Sequence, residues 1–474
     1  NLTDTGISEL PHGLLAHPRI KSVWLANNRL TALPEVMFEF SPGTTAGYDF
    51  SGNPFSSVTR ERIKVYFNRT GNHMGVRAAQ SEIDRTKALF TDLNDRQASE
   101  LVYRLPGSLI QGQIQLTRWE TEIAQMTADL AAWVRDIPDR NPLTGELFSF
   151  DERLAEHSAR DVFAGRLERL WRHRSTAHSL MRAEVFTAQA TFRGEMPELT
   201  ADFSHITTLS MTGNKGISSI GAFLRTFPRL TSLILQDFTL EGASQSLAQQ
   251  SALTTLTLNN CDLKFTAEIQ AALAAMPELE LLELPDNPLG SAPDLSELGE
   301  LTYLDLSNTG IVEVPPGLAG HPKLKTAIVS ENRITEIPDA FFSLPARASE
   351  GLDFSGNPLT AETRERIKTY SREHGPDFGV LADPTDIGIT KSLFPGLDDE
   401  EASEVFYGLP GDIEHGRSRL RHWQAEIEQL SSDLAHWINA TPTRHPITGE
   451  TMSPAQMFAE HTQRTTFARQ LEQF

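Results

Sequence analysis

One pattern of leucines and asparagines recurs three times between residues 279 and 338, and it restricts the fold more than any other feature of the sequence. Each copy has apolar residues at positions 1, 4, 6 and 11 and a polar residue at position 9. Position 4 falls at Leu282, Leu304 and Ala327, which are 22 and 23 residues apart. Three consecutive matches at nearly constant spacing predict stacked structural units rather than a single globular core.

This spacing is the leucine-rich-repeat pattern, in which each repeat forms one short strand and one return segment of a solenoid. Alternate residues of a strand point to the same side, so positions 4 and 6 are predicted to be buried. The residue at position 9 is expected to close the turn through hydrogen bonds to the backbone of neighbouring coils. It is Asn287, Thr309 and Asn332 in the three copies.

Further repeats and a different period lie outside this segment. Residues 20–34 match the whole template, and a longer series of strand centres is spaced 22 to 26 residues apart: Leu209, Leu233, Leu256, Leu282, Leu304, Ala327 and Leu352. Between the two repeat regions, apolar residues recur every three or four positions, as in the series Leu116, Trp119, Ile123, Met126, Leu130 and Trp133. That period predicts amphipathic helices.

The chain also aligns with itself, without a gap, at an offset of 304 residues. Residues 353–358 match residues 49–54, residues 364–368 match residues 60–64, and Trp437 falls on Trp133. The overlap spans 474 − 304 = 170 positions. We therefore predict a tandem duplication with a 304-residue offset.

The predicted fold class is α/β leucine-rich-repeat solenoids alternating with all-α helical blocks. The end of a first solenoid is expected at residues 1–57, a helical capping block at 58–190, a second solenoid of about seven coils at 191–360, and a truncated copy of the helical block at 361–474. Both ends of the sequence cut through predicted elements, so we expect it to be a piece of a longer protein.

Composition excludes several classes of partner and site. A net charge of −21 argues against a nucleic-acid backbone or an anionic membrane as the main partner. No apolar run of about 18 residues is present, so no membrane span is predicted. The single cysteine, Cys261, excludes a disulfide framework and a cysteine metal cluster. No motif for a metal or a cofactor was found, and none is predicted.

No catalytic residue is predicted either. Cys261 occupies position 9 of a repeat, where a buried thiol without a neighbouring base is expected to be structural. The pairs Glu156-His157 and Glu460-His461 lie on predicted amphipathic helices and are expected to face solvent.

The concave face of the solenoids is the candidate binding surface. The residues predicted to bind a partner are strand residues beside the buried positions: Trp24, Thr257, Glu283, Tyr303, Asp305 and Ile328. Aromatic side chains among short polar residues and carboxylates are typical of surfaces that dock another protein. The alternative is a face that is merely solvated. Replacing Tyr303 and Asp305 is expected to weaken partner capture and to leave thermal unfolding unchanged.

Several motifs carry a resemblance to a known group. Leu-Asp-Leu-Ser-Asn-Thr-Gly-Ile at 304–311 and Asp-Phe-Ser-Gly-Asn-Pro at 353–358, followed by Thr-Arg-Glu-Arg-Ile-Lys, resemble the large leucine-rich-repeat toxins and effectors of pseudomonad-type bacteria. In that family the repeats commonly lead into a C-terminal ubiquitin-ligase domain (NEL-type), whose catalytic Cys is followed two residues later by Asp. Here Cys261 is followed by Asp262 and Leu263, so no catalytic residue is carried over.

Three functions remain open on these grounds. The first is a protein-binding scaffold of a secreted bacterial effector or toxin, which would recognise a host protein on its concave face, with the host cytoplasm as one destination. The second is part of a ubiquitin-protein ligase whose catalytic domain lies outside this stretch, in which case the host protein is a ubiquitination substrate. The third is a structural spacer. Whether the parent protein is an enzyme stays open.

Overall fold

The computed structural model describes residues 1–14, 20–173, 184–240 and 244–472. The chain divides into two compact units, Asn1–Leu256 and Thr257–Phe474. Within each unit, parallel strands stacked one per repeat form the solenoid and a separate set of helices forms the block that follows it. The chain is therefore a leucine-rich-repeat protein with parallel sheets flanked by helical regions.

The strands of the first unit are short and pair in parallel. They are β1 (Val23–Trp24), β2 (Tyr48–Asp49), β3 (Glu184–Gln189), β4 (Gly194–Glu195), β5 (Ile206–Thr212), β6 (Ile217–Ser219) and β7 (Ser232–Gln236). β1 pairs with β2, β5 lies between β3 and β7, and β4 pairs with β6. Leu209 and Leu233 are partners in the register of β5 and β7, as their spacing in the sequence predicts.

β3 was not predicted, and it places the start of the second repeat region before residue 191. Its residues Phe186 and Ala188 are buried, and they pair with Leu209 and Met211 of β5. Phenylalanine and alanine replace the usual leucines at these positions, so the repeat template does not identify the strand. The predicted limit between helical block and solenoid at 190/191 therefore falls after a strand that belongs to the sheet.

Among the residues described, the first unit has five long helices between its two repeat regions. The described helices are α1 (Pro42–Thr45), α2 (Ser57–Thr70), α3 (Gln80–Leu89), α4 (Asp95–Arg104), α5 (Leu109–Arg135), α6 (Phe150–His173), α7 (Gly221–Leu224) and α8 (Ser244–Ala248). The five long helices are α2 to α6, and α2 begins the predicted helical capping block. Ser56 caps its first turn by accepting a hydrogen bond from the Thr59 N–H (3.3 Å), and Gly71, with φ +74°, ends it.

The helical block of the first unit has an aromatic and aliphatic core between α5 and α6. Met126 and Leu130 of the predicted stripe on α5 are at most 1% exposed. The Trp171 ring of α6 stacks on Phe90, with 5.9 Å between the centroids. The apolar period in the sequence therefore marks the inward faces of these helices.

The expectation that Glu156 faces solvent is wrong. Its side chain is 3% exposed, and it accepts hydrogen bonds from the Arg193 backbone N–H (2.8 Å) and from Arg193 Nη1 (2.7 Å). The neighbouring His157 is exposed, as expected. A helical period shows which side of a helix is polar, but it does not reveal that another segment packs over part of that side.

The second unit continues the one-strand-per-repeat arrangement. Its strands are β8 (Thr255–Asn259), in which the division between the units falls, β9 (Leu281–Glu283), β10 (Tyr303–Asp305), β11 (Thr326–Ile328) and β12 (Leu352–Asp353). They follow one another in the sheet in sequence order. Leu282, Leu304, Ala327 and Leu352 share one row of the register and are buried, as predicted.

The helices of the second unit lie mostly after the last strand. They are α9 (Ala267–Ala274), α10 (Ala346–Ser349), α11 (Ala361–His374), α12 (Pro384–Leu393), α13 (Asp399–Gly408), α14 (Ile413–Asn439) and α15 (Pro454–Glu472). The ammonium of Lys368 on α11 is buried and donates to the carbonyls of Phe406 (3.2 Å), Tyr407 (3.1 Å) and Leu409 (2.6 Å) at the end of α13. Burial lowers the pKa of Lys368, while the carbonyl end of the helix favours its positive charge.

Buried asparagines at position 9 connect neighbouring coils, as predicted. Asn287 accepts hydrogen bonds from the N–H groups of Cys261 (2.8 Å) and Leu263 (3.0 Å) in the preceding coil, and it donates to the carbonyl of Leu258 (2.6 Å). Asn332 makes the same kind of contacts to its own preceding coil. One side chain thus satisfies backbone groups that would otherwise be buried without a partner.

Among the described residues, no helix is long and apolar enough to cross a bilayer.

Replacing one of these asparagines should destabilise the second unit. In Asn332→Ala, buried backbone groups of two coils lose their partner, which costs about 1–3 kcal/mol for each unsatisfied group. We expect a clearly lower urea midpoint, measured by circular dichroism. The exposed Glu336 of the same coil provides the control, because Glu336→Ala should change stability by no more than about 0.5 kcal/mol. Equal midpoints for the two variants would contradict this role of the asparagine.

Candidate functional site

The candidate surface is the exposed side of strands β8 to β12. Thr257, Glu283, Asp305, Ile328 and Asp353 occupy the same position on successive strands, and we call them the central column. In the sheet register Asp305 is the partner of both Glu283 and Ile328, and Ile328 is the partner of Asp353. All five are partly exposed, whereas the strand centres beside them are buried. The structure therefore brings five residues of successive coils into one row.

Hydrogen bonding connects the first two members of the row. The Thr257 hydroxyl donates to Glu283 Oε2 at 2.7 Å. This contact fixes the direction of the carboxylate, and its remaining oxygen can still accept hydrogen bonds from a partner.

Tyr303 stands beside the central column in a second row, between Leu281 and Thr326. Burial raises the pKa of Tyr303, and the nearby carboxylates of Asp305 and Glu283 raise it further. The phenol therefore remains a neutral donor next to two negative charges. An aromatic ring with a polar end beside carboxylates is a common anchor in protein interfaces.

Asp305 has a structural role as well as a place on this surface. Its Oδ1 accepts hydrogen bonds from the Ser307 N–H (2.8 Å) and the Ser307 hydroxyl (2.7 Å), which stabilises the turn after β10. Asp353 makes the same backbone contact to Ser355 (2.8 Å). Replacing Asp305 would therefore disturb the coil itself, contrary to the expectation of unchanged unfolding, so Tyr303 and Glu283 provide a cleaner test of binding.

Trp24 belongs to the first unit, whereas the other five predicted residues are in the second. It lies on β1, where its partner in the register is Asp49, and 53% of its surface is exposed. Its exposure agrees with a position on the outward side of a strand, and its role in binding stays a prediction.

The row ends in a cleft that the sequence patterns did not reveal. It has a volume of about 570 Å³ and is lined by Asp353 together with Arg364, Asp377, Glu400 and Glu404, among others. Burial raises the pKa of Asp377, and Glu404 and Glu400 add to that effect. The cleft extends the acidic character of the central column onto α13.

The self-alignment contains the signal that could have identified this cleft. The positions that hold Asp377 and Glu400 in the second unit hold His73 and Arg96 in the first, 304 residues earlier. These two substitutions make the surface beside the last strand more acidic in the second unit than in the first.

The chemistry of this surface is that of binding. The two rows contain carboxylates, hydroxyls, a phenol and apolar side chains, without a lysine or an arginine. Across the residues that the structure describes, no group of three or more His, Cys, Asp or Glu side chains could hold a metal ion. Cys261 is 0% exposed, and its thiol donates to the carbonyl of Asn259 at 3.2 Å.

Comparisons with known proteins find similarity over part of the chain. No family model matches the chain. It is 30% identical over 121 residues to the volume-regulated anion channel subunit LRRC8D of Rattus norvegicus, and 32% identical over 134 residues to leucine-rich repeat-containing G-protein coupled receptor 5 of the same organism. The matches cover 25% and 27% of this chain, and the chain spans only 14% of the length of each relative.

Solved structures with partial similarity include two bacterial leucine-rich-repeat proteins. An LRR protein of Leptospira interrogans has a TM-score of 0.33 and 17% identity, covering 42% of this chain and 50% of that one. The internalin InlF of Listeria monocytogenes has a TM-score of 0.23 and 19% identity, covering 35% and 59%. The LRIM1/APL1C complex has a TM-score of 0.25 and 13% identity, covering 60% and 73%. The description of the fold given above rests on the coils of this chain itself.

The raised pKa of Asp377 predicts a pH-dependent effect of Asp377→Asn. Because the pKa is raised in the folded protein, the folded form binds more protons than the unfolded form between the ordinary and the raised value. Stability therefore falls as the pH rises through that window. Asn removes the charge and keeps an oxygen that can accept from the Gly379 N–H, now 3.0 Å from Asp377 Oδ1.

We expect Asp377→Asn to raise the urea midpoint at neutral pH, and the gain to disappear once the pH falls below the ordinary aspartate pKa of about 3.9. Glu336→Gln, at an exposed position outside the cleft, is the control for a general loss of negative charge, because Glu400 itself contributes to the raised pKa of Asp377. The same gain at both pH values would show that the charge of Asp377 is not its cause.

Proposed function

We propose that this chain is the recognition scaffold of a secreted bacterial effector or toxin, and that it binds a host protein on the concave face of its second unit. The observation that supports this is the central column with Tyr303 beside it. Leucine-rich-repeat solenoids generally use such concave surfaces to bind proteins. The resemblance to bacterial leucine-rich-repeat toxins supports the secreted role and the host cytoplasm as the place of action.

The charge of the surface indicates the chemistry of the partner. Glu283, Asp305 and Asp353 lie in one row, and the cleft at its end adds Asp377 and Glu400. We propose that the partner presents lysine or arginine side chains to this row and an apolar residue to Tyr303 and Ile328. Exposed charge pairs across such an interface are screened by salt, so binding should weaken as ionic strength increases.

We also propose that the two units derive from one duplicated segment of 304 residues, because pairs of contacts recur at that offset. The Ala78 N–H donates to Ser99 Oγ at 2.8 Å, and the Ala382 N–H donates to Ser403 Oγ at 2.8 Å. Four more pairs are of the same kind: Leu30–Asn53 and Ile334–Asn357, Lys87–Asp95 and Lys391–Asp399, Leu109–Glu61 and Ile413–Glu365, Arg160–Trp133 and Arg464–Trp437.

Partner capture tests the concave surface. The tagged chain is used to capture proteins from a host-cell lysate, and each captured protein is compared between three variants. Glu283→Lys and Tyr303→Ala should reduce capture at least tenfold, which corresponds to a loss of about 1.4 kcal/mol. Glu313→Lys makes the same charge change at an exposed position of a neighbouring coil, away from the strands, and should capture normally. Capture that is equal in all three variants would exclude this surface as the binding site.

The alternative of a ubiquitin-protein ligase requires a catalytic cysteine outside this stretch. Cys261 lies in the solenoid core with its thiol bonded to its own coil, so attack on a ubiquitin thioester would require the coil to open. We expect no reductant-sensitive adduct when the chain is mixed with a charged ubiquitin-conjugating enzyme. An adduct that forms on this chain and is lost in Cys261→Ala would favour the ligase over the recognition scaffold.

A further inference from the structure

Helices α14 and α15 expose a face of large apolar side chains. Ile427, Leu430, Trp437, Phe467 and Leu471 are between 39% and 53% exposed, and we call them the docking face. The rings of Trp437 and Phe467 are in contact across the two helices, with 6.1 Å between their centroids. Exposed apolar patches of this kind mark sites where another segment packs.

The corresponding positions of the first unit are covered. The residues 304 positions earlier are Ile123, Met126, Trp133, Phe163 and Leu167. Four of them are at most 7% exposed, and Trp133 is half-buried. Trp133 and Phe163 also lie 6.1 Å apart, so the two pairs of helices meet in the same way.

The first coil of the second repeat region covers Trp133 and Phe163 in the first unit. The ring of Phe192 lies 4.9 Å from Trp133 and 5.2 Å from Phe163, between the two helices. Trp133 Nε1 donates to the carbonyl of Glu195 at 2.9 Å, and Phe186 of β3 packs on Phe163 at 6.1 Å. The covering segment thus lies at the N-terminal end of a solenoid, and we call residues 184–195 its leading edge.

Polar contacts beside the apolar ones specify which segment fits. Glu156 accepts from the backbone N–H and the guanidinium of Arg193, and Arg160 Nη2 donates to the Arg193 carbonyl at 2.9 Å. A residue that follows the inserted phenylalanine is therefore bound through both its backbone and its side chain. An arginine at this position complements the buried carboxylate of Glu156.

The second unit has the same groups already in place. Glu460 and Arg464 occupy the positions of Glu156 and Arg160, and Arg464 Nη1 donates to the Trp437 carbonyl at 2.8 Å, as Arg160 Nη1 does to Trp133 at 2.7 Å. The guanidinium of Arg464 also lies over the Trp437 ring, 4.6 Å from its centroid. Glu460 Oε1 accepts a hydrogen bond from Arg464 Nε at 3.0 Å, so an incoming arginine would bind its second oxygen, Oε2, or replace that contact. The aromatic pair and the contact of Arg464 with Trp437 are thus in place in the second unit without a covering segment among the residues described.

We propose that the docking face binds the leading edge of a leucine-rich-repeat solenoid, an extended segment with phenylalanine followed by arginine, as at Phe192 and Arg193. The phenylalanine inserts between Trp437 and Phe467, and the arginine bonds to Glu460. This inference rests on the proposed duplication and does not depend on the concave binding surface. A second copy of the chain is a less suitable occupant, because its own Phe192 and Arg193 are already bound within its first unit.

An extended version of the chain provides the test. Residues 171–360 are appended after residue 474, which continues the 304-residue register, since 170 + 304 = 474. Hydrogen exchange over α14 and α15 is then compared with that of the original chain. We expect slower exchange in both helices and a blue shift of Trp437 fluorescence, assigned with a Trp437→Phe variant.

The matched control carries Phe192→Asp and Arg193→Glu only in the appended copy. It should leave the exchange of α14 and α15 as fast as in the original chain. Equal exchange in the original and the extended chain, or equal protection by the extension and its control, would overturn the proposal. Because no host partner is present, this result is independent of the capture experiment.

A peptide of residues 184–205 gives a second measurement that does not require an appended solenoid to fold. Its binding to the full chain is followed by fluorescence anisotropy of a label on the peptide. We expect saturable binding that Phe467→Asp weakens at least tenfold and that Ile110→Asp, an exposed position on α5, leaves unchanged. Absence of saturation up to about 1 mM peptide would count against the docking face. Dimers of the original chain that form with increasing concentration and are lost in Phe467→Asp would show exchange of this segment between copies instead.

Discussion

The solenoid depends on buried asparagine side chains that bond to the backbone of two coils at once. A coil of 22 to 26 residues has only two to seven residues in its strand, so most of its backbone has no partner within a regular sheet. Asn287 and Asn332 provide acceptors and donors for the turns that follow the strands. They also fix how each coil is aligned with the next. The outward residues of successive strands therefore lie side by side, at the strand spacing of about 4.8 Å. The row of Glu283, Asp305 and Ile328 is a consequence of that alignment.

A stack of coils must also end without leaving a strand edge open to other chains. In the second unit, the N–H of Phe354, next to the last strand, donates to the carbonyl of Phe378 at 2.8 Å, in the turn after α11. In the first unit, the N–H of Phe50 donates to Met74 in the same way at 2.9 Å. Gly379 is needed there, because a Cβ at its φ of +71° would lie 2.6 Å from Asp353 Oδ1. The helical blocks therefore have a structural task at the end of each solenoid, in addition to any role in binding.

The parts of the structure that follow from local spacing could be predicted, and those that depend on packing between distant segments could not. The strand centres from Leu209 to Leu352, the asparagines at position 9 and the start of the first helical block follow from the spacing of residues close together in the sequence. β3 was missed because Phe186 and Ala188 fill the leucine positions, and the burial of Glu156 was missed because its partner, Arg193, lies 37 residues away. The acidic cleft could not be derived from periodicity, since its walls come from the last coil, α11 and α13.

The two units also show which residues are free to change on such a scaffold. The contacts that hold the coils and helices recur at the offset of 304, as in the pairs Ala78–Ser99 and Ala382–Ser403. Several outward positions differ: Ile328 replaces Trp24, Asp377 replaces His73, and Glu400 replaces Arg96, whereas Asp353 and Asp49 are the same. If these outward side chains contacted only water, replacing an arginine by a glutamate would have little effect on the stability of either unit. Burial raises the pKa of Asp377, so folding disfavours the charged form of its side chain. A cationic partner of the kind proposed above would offset this penalty on binding.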